Sequence, residues 1–201
     1  MLTQIGLSLS SNPWVLIAFS YLLGAIPTSL IISKVKGVDL RSQGSRNLGA
    51  TNVYRVMGIK YAIVVFVIDL LKGAIPTYIA WASIANPVWH IGVGVTTIIG
   101  HSLSVWIRFK GGKGAATGLG VLLVLVPGLF GIAAVIAVAI IWKWRIVSVA
   151  TIVNCILIAV LVWLGVYPLA YKVFISAICI FIVIRHRGNI SRLIHGQENK
   201  V

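Results

Sequence analysis

The chain has 201 residues, of which 59% are hydrophobic, and its mean hydropathy is +1.03. This composition excludes an ordinary soluble domain and is typical of an integral membrane protein. The net charge is +14, from 17 basic and 3 acidic residues. Because the basic residues are interleaved with apolar segments, they favour an anionic lipid or anionic substrate and exclude a nucleic-acid partner.

Apolar segments follow one another along most of the chain. They run at 14–33, 61–82, 88–107, 114–142, 146–165 and 167–184. A helix of about 20 residues crosses roughly 30 Å of hydrocarbon, so each segment is a predicted membrane helix. The fourth is the exception, because it is too long for one helix and contains Pro127-Gly128, a strong turn signal. Splitting it there predicts seven helices, with helices 4 and 5 forming a short hairpin.

The basic residues predict how these helices are oriented. Their clusters lie at 34–60, 108–113, 143–145 and 185–200, whereas residues 1–13 and 83–87 have none. With seven helices, an external N-terminus and a cytoplasmic C-terminus place every basic cluster in the cytoplasm. An unbroken helix over 114–142 would leave the last two clusters outside. We therefore predict an all-α membrane protein with one transmembrane domain over residues 1–201.

Three polar segments fall on the predicted cytoplasmic side. They are SQGSRNLGATNVYR at 42–55, GHSLSVWIRFKGGKGAAT at 100–117 and RHRGNISRLIHGQENK at 185–200. Each combines Arg or Lys with Gly, Asn, Ser or Thr, a mixture that neutralises and orients phosphate groups. Gly114 opens the next predicted helix, whose dipole favours an anion at its N-terminus. For GGKG taken alone, the alternative is a basic turn at the lipid surface.

Acidic residues are too few for several kinds of catalysis. The chain has three, Asp39, Asp69 and Glu198. No two have metal-ligand spacing, so neither a metal nor another cofactor is expected. A Ser–His–Asp triad is disfavoured because so few acidic residues could complete it. Asp69 and Lys72, three residues apart in a span, are predicted to form a structural ion pair. Such a site suits either transfer from a good leaving group or transport of an anion.

The three polar segments resemble the motifs of the bacterial acyl-phosphate:glycerol-3-phosphate acyltransferases, the PlsY family. The order of the segments, their spacing and the length of the chain all agree with those of the family. The resemblance implies seven helices with cytoplasmic motifs, in the bacterial cytoplasmic (inner) membrane. It implies transfer of an acyl group from acyl phosphate to the 1-hydroxyl of glycerol 3-phosphate. The products are lysophosphatidic acid and phosphate, in an early step of phospholipid synthesis.

The resemblance also implies roles for individual residues. Those matching the family's catalytic positions are Ser45, Arg55, Lys113, His186 and Asn189. Those expected from it to bind substrate are Asn47, Thr51, Asn52, Gly111, Gly112 and Gly114, together with Ser148 and Thr151, which compete for one family serine position. Lys110, Arg187 and Arg192 are basic residues of the same polar segments and are also expected to bind substrate. Glu198 is expected to be structural. Arg46 replaces a family glycine and Ser104 a family proline.

The expected mechanism is proximity combined with stabilisation of charge. The attacking hydroxyl gives its proton either to a substrate phosphate oxygen or to His186 as general base. Membrane lipid and the enzyme that produces acyl phosphate are the expected partners besides the two substrates. The competing hypothesis is a transporter of phosphate or of a small phosphorylated molecule. It is disfavoured because the predicted outer side lacks polar groups.

Overall fold

The computed structural model describes residues 12–201, and this part of the chain is helical without strands. The described residues form ten α-helices: α1 (Pro13–Ala25), α2 (Thr28–Val35), α3 (Ala50–Met57), α4 (Ile59–Ser83), α5 (Pro87–Ser102), α6 (Ala115–Leu125), α7 (Pro127–Trp144), α8 (Val147–Leu164), α9 (Leu169–Arg185) and α10 (Arg187–Ile194). The all-α prediction is confirmed for these residues. The predicted position of the N-terminus concerns residues outside them.

Within residues 12–201, five helical stretches are long and apolar enough to cross a membrane. They are Pro13–Val35, Ile59–Ser83, Pro87–Ile107, Pro127–Trp144 and Val147–Leu164. Helix α9 is long enough to cross a membrane only when it is taken together with α10, and the two helices are bent by 56° relative to each other. Helix α6 has 11 residues, about 16 Å at 1.5 Å per residue, so it is shorter than the hydrocarbon layer. A multi-pass membrane protein is confirmed, and the count of seven stays a prediction.

The long apolar segment 114–142 is divided as predicted, but one residue earlier. Helix α6 ends at Leu125 and α7 begins at Pro127, so the break falls at Val126. Proline suits the first position of a helix because the N–H that it lacks would have no helical partner there. Lys113, before α6, and Ser148, after α7, join one hydrogen-bonded cluster. The two helices therefore start and end on the same side, as a hairpin does.

Helix α1 is interrupted at Ile26 and Pro27, before α2 continues the span. Two side chains from other parts of the fold satisfy backbone carbonyls at this break. The Ser104 hydroxyl donates to the carbonyl of Ala25, and the Lys72 ammonium donates to that of Ile26, both at 2.5 Å. Within a membrane each such carbonyl needs a partner, because no bulk water is available. Ser104, the departure from the family proline, has this structural contact.

Glycines allow two pairs of helices to touch backbone to backbone. A Cβ on Gly73 of α4 or on Gly120 of α6 would lie 2.1 or 2.0 Å from a carbonyl oxygen of the other helix. Gly24 of α1 and Gly100 of α5 show the same reciprocal contact, at 2.3 and 2.4 Å. Small residues of this kind let membrane helices pack closely. The α4–α6 contact brings the start of α6 beside the middle of α4.

The outer surface of the bundle is apolar. Trp142 is 85% exposed and Leu164 is 77% exposed, and many other large apolar side chains are similarly open. Buried polar side chains lie inside instead, among them Asn52, Asp69, Lys72 and Asn189. An exposed apolar surface around a polar interior is expected when hydrocarbon surrounds the protein.

Candidate active site

A cavity of about 490 Å³ joins a polar end of the bundle to its apolar interior. Its polar end is lined by residues that the sequence predicted to act in the site: Ser45, Asn47, Thr51, Asn52, Arg55, Lys113, Gly114, Ser148, Thr151, His186, Asn189 and Glu198. Its other walls are mainly apolar and come mostly from α6, α7, α8 and α9, with Phe66, Asp69 and Leu70 of α4 and His101 of α5. Residues from all three polar segments therefore meet at one cavity.

Asn52 holds the loop before α3 in place. Its side-chain oxygen accepts a hydrogen bond from the backbone N–H of Ser45 at 2.8 Å. Its amide nitrogen donates to the carbonyls of Leu40 and Gln43 at 3.3 and 3.2 Å. The polar atoms of this buried side chain thus have partners in the loop. The contacts support a role in positioning Ser45, where the sequence predicted direct binding of substrate.

Arg55 carries its charge from α3 to the polar end of the cavity. One terminal nitrogen donates to the carbonyl of Asn199 at 2.6 Å, and Nε is buried without a hydrogen-bond partner among the described residues. Burial lowers the pKa of Arg55, with Glu198 opposing the shift. Arginine keeps its charge nonetheless, because its ordinary pKa lies far above neutral pH. A half-buried guanidinium with an unpaired Nε is suited to an anionic ligand.

Lys113 is the ammonium group of the site. It donates to the side-chain oxygen of Asn189, which links the loop before α6 to α10. Burial lowers its pKa to about 8, with Glu198 opposing the shift and Arg192, Arg55 and Arg185 adding to it. The side chain is therefore mostly protonated at neutral pH, although it is less basic than an exposed lysine.

Glu198 organises the polar end through three hydrogen bonds. It accepts from the Ser148 hydroxyl at 3.0 Å, the Asn189 amide at 2.6 Å and the Arg192 Nε at 2.7 Å, and its side chain is 2% exposed. These contacts support the structural role predicted for Glu198. They also distinguish Ser148 from Thr151, the two candidates on α8 for one family serine position. The Thr151 hydroxyl donates to the carbonyl of Val147 in its own helix. Only Ser148 joins this cluster, although both residues line the cavity.

His186 follows the last residue of α9 and lines the cavity, and its Nε2 makes no hydrogen bond within the described residues. Its Nδ1 lies 2.8 Å from the carbonyl oxygen of Ile182. Since a carbonyl can only accept, Nδ1 carries the proton and Nε2 has a lone pair. Burial lowers the His186 pKa to about 4, opposed by the hydrogen bond to Ile182. The ring is neutral at neutral pH and is a weak base.

Gly111 and Gly112 are arranged differently from the prediction. Their N–H groups donate to the carbonyls of Ser102 and His101, each at 3.1 Å, so they are not free to bind a phosphate. Their carbonyls accept from Arg185 at 3.3 and 3.0 Å. Gly114 lines the cavity at the start of α6 with a φ of 83°, and its binding role stays a prediction. Only the tertiary structure shows that the first two N–H groups have internal partners.

Other predicted binding residues lie outside the cavity. Lys110 and Arg187 are exposed, and neither lines it. Arg192 does not line it either, and is paired with Glu198. The departure Arg46 is also exposed, and it adopts a φ of 59°, in the left-handed region that glycine adopts without cost. That conformation accounts for a glycine at this position in the resembling family.

The predicted ion pair of Asp69 and Lys72 is confirmed, with a distance of 2.9 Å between charged atoms. The structure adds His101, which the sequence did not assign to the site. Its Nδ1 lies 3.8 Å from the Asp69 carboxylate, and both residues line the cavity. The pair lies on α4 and His101 on α5, so no local spacing indicates their contact. Among residues 12–201, no three His, Cys, Asp or Glu side chains are grouped as a metal site would need.

Comparison with known proteins agrees with this arrangement. The family model for glycerol-3-phosphate acyltransferase matches residues 14–196. The glycerol-3-phosphate acyltransferase of Geotalea daltonii is 43% identical over 189 residues, which cover 92% of this chain and 95% of that protein. The Aquifex aeolicus protein of the same name is 41% identical over 187 residues, covering 92% and 97%.

Two solved structures of PlsY, an integral membrane glycerol 3-phosphate acyltransferase, share the fold. The glycerol 3-phosphate form superposes with a TM-score of 0.91 at 39% identity, covering 94% of this chain and 96% of its own. The lysophosphatidic acid form has a TM-score of 0.88 at 38% identity, covering 94% and 95%. The family resemblance of the three polar segments is thereby confirmed, and the chain belongs to the glycerol-3-phosphate acyltransferase family.

Proposed function

We propose that this protein transfers an acyl group from acyl phosphate to the 1-hydroxyl of glycerol 3-phosphate. The observation that carries the proposal is the two-part cavity, cationic at one end and apolar along α6 to α9. The apolar part accommodates an acyl chain, and the cationic part accommodates phosphate groups. The two related structures are of a glycerol 3-phosphate form and a lysophosphatidic acid form, whose ligands match the proposed acceptor and product.

The reaction forms one bond and breaks another at the acyl carbonyl. The glycerol hydroxyl oxygen attacks the carbonyl carbon, the bond from that carbon to the phosphate oxygen breaks, and inorganic phosphate leaves. The hydroxyl proton goes to a phosphate oxygen of the substrates. With a pKa of about 4, His186 is a weaker base than a phosphate monoester, whose second pKa is about 6. His186 then contributes its neutral Nε2 as a hydrogen-bond acceptor that orients the hydroxyl.

The positive side chains lower the barrier by stabilising charge. Arg55 and Lys113 reach the polar end from two different elements, α3 and the loop before α6, and there they offset the repulsion between two phosphate groups. The N-terminus of α6, which begins beside Gly114, adds the positive end of its dipole. Ser45 and Asn189 provide polar groups that fix the orientation of the substrates.

One assay tests the reaction and its main alternative. Purified protein is mixed with acyl phosphate and glycerol 3-phosphate, and both phosphate release and lysophosphatidic acid are measured. We expect phosphate and lysophosphatidic acid in equal amounts. Glycerol, the control acceptor that lacks a phosphate, should give no product. Turnover should be unchanged in EDTA. A transporter would release no phosphate and would instead move labelled glycerol 3-phosphate into vesicles. Absence of the lysophosphatidic acid product would overturn the proposal.

We assign the protein to the bacterial cytoplasmic membrane, with seven crossings and the cavity's polar end in the cytoplasm. Support comes from the α6–α7 hairpin and from the basic residues, which collect at that end. In right-side-out vesicles, an impermeant thiol reagent should label Ala85→Cys and Gly128→Cys but not Gly188→Cys until the membrane is opened. All three positions are exposed, and the native Cys155 and Cys179 are buried. Labelling of Arg145→Cys with protection of Gly128→Cys would contradict seven crossings.

The pH dependence should follow the ionisation of Lys113. Its ammonium form attracts phosphate, and that form predominates below its pKa of about 8. The value of kcat/KM is therefore expected to fall as the pH rises through about 8, toward a tenfold loss per unit. Lys113→Arg should remove this decline, because a guanidinium stays charged. An identical alkaline decline in Lys113→Arg would mean that another group controls it.

A further inference from the structure

The loop that carries Lys113 is fixed from two sides before it reaches the cavity. On one side, the N–H groups of Gly111 and Gly112 donate to carbonyls at the end of α5. On the other side, Arg185 at the end of α9 donates to the carbonyls of the same two glycines. Lys113 follows immediately and contacts Asn189. Any displacement of this loop therefore moves the ammonium group of the site.

The His101 ring lies directly against Gly112. A Cβ on Gly112 would lie 2.2 Å from Nε2, 3.0 Å from Cε1 and 3.1 Å from Cδ2 of that ring. Gly112 is not among the glycines with positive φ, so its backbone conformation does not itself require glycine. Glycine is required here because a side chain would occupy the space of the His101 imidazole. Gly111 is similar, since its Cβ would lie 2.1 Å from the carbonyl oxygen of His101.

The opposite side of the ring faces the buried ion pair. Nδ1 of His101 lies 3.8 Å from the Asp69 carboxylate, which pairs with Lys72 at 2.9 Å. Lys72 in turn donates to the Ile26 carbonyl at the break between α1 and α2. The imidazole is 9% exposed and thus has little freedom to move. A continuous series of contacts therefore connects the helix break to the loop of Lys113.

We propose that His101 is a positioning residue for acyl transfer, which places Lys113 by packing between Asp69 and Gly112. In this account the first two glycines of GGKG make room for the histidine, and the phosphate contacts of this loop come from Lys113 and the start of α6. The inference rests on the proposed function, because its measurement is acyl transfer. If the wild-type protein shows no turnover, the proposed function fails; a failure confined to the variants below concerns His101 alone.

A double-mutant cycle tests the contact between His101 and Gly112. Gly112→Ala alone should lower kcat/KM about 100-fold, the loss associated with misplacing a group by about 1 Å. His101→Asn retains an amide near Asp69 but has no atom where Nε2 lies, and it should cost about tenfold. In the His101→Asn background, adding Gly112→Ala should cost less than about threefold, because the space is open. Persistence of the 100-fold loss in that background would overturn the inference.

A conservative variant distinguishes positioning from a general effect on folding. His101→Gln places an amide nitrogen near the Nε2 position, so it should retain more activity than His101→Asn and remain sensitive to Gly112→Ala. Equal tolerance of Gly112→Ala in the Asn and Gln backgrounds would contradict the proposed contact. Gly131→Ala is the matched control, because its added Cβ would meet no atom of another described element within 4 Å, and its effect should be the same in every background. Thermal melting confirms that each variant is folded, and His101→Ser replaces His101→Asn if the latter is not.

Discussion

Replacement of Lys113 with alanine is expected to lower kcat/KM by about 10- to 100-fold. The charge-assisted hydrogen bond that the ammonium offers to a phosphate is worth roughly 1.5–3 kcal/mol, and each 1.4 kcal/mol is about tenfold. The side chain lies half-buried at the cavity and contacts Asn189, and no other lysine among the described residues lines the cavity to replace it. Steady-state kinetics with purified, folded variants measure the effect.

Two further variants interpret the result. Lys113→Arg keeps the charge but replaces a compact ammonium with a wider planar group, so it should restore only part of the activity at neutral pH. Lys143 is a control, because it is exposed at the end of α7 and does not line the cavity. Lys143→Ala should therefore leave kcat/KM unchanged. Wild-type kcat/KM in Lys113→Ala would remove this lysine from the active site.

The second large effect is expected for the ion pair on α4. Asp69→Leu should destabilise the protein by about 3–5 kcal/mol, because it leaves the buried Lys72 ammonium without its counter-ion. Both side chains are at most 4% exposed, so water cannot compensate for the lost partner. The free energy of unfolding, measured in mild detergent with increasing denaturant, would show the loss.

The double variant Asp69→Leu, Lys72→Met distinguishes the effect of an unpaired charge from the effect of a changed side-chain volume. Replacing both charges with apolar groups is often nearly neutral for stability, so we expect much of the loss to be recovered, except for the hydrogen bond that Lys72 gives to the Ile26 carbonyl. Equal destabilisation in the single and double variants would show that the unpaired charge is not the cause. The double variant also removes the contact between Asp69 and His101, so low acyl-transfer activity in a stable double variant would agree with the positioning role.

The sequence by itself determined the membrane class and most helix positions. These follow from local properties, since an apolar run must form a helix in hydrocarbon to satisfy its backbone. The break before α7 was likewise predictable from Pro127, although it lies one residue earlier than expected. The i,i+3 spacing of Asp69 and Lys72 was sufficient to predict their ion pair. For Lys113, His186 and Glu198, recognition of the family motifs indicated a shared site, and the structure brings these residues together.

The tertiary structure alone decided what the glycine-rich loop contacts. The composition of GGKG suggests free N–H groups, yet those of Gly111 and Gly112 donate hydrogen bonds to carbonyls at the end of α5. Ser148 and Thr151 are equivalent in sequence, and only the position of Glu198 distinguishes them. These contacts join segments far apart in the chain, and they depend on how closely the helices pack. No local pattern encodes such distances, because they arise from the packing of the whole bundle.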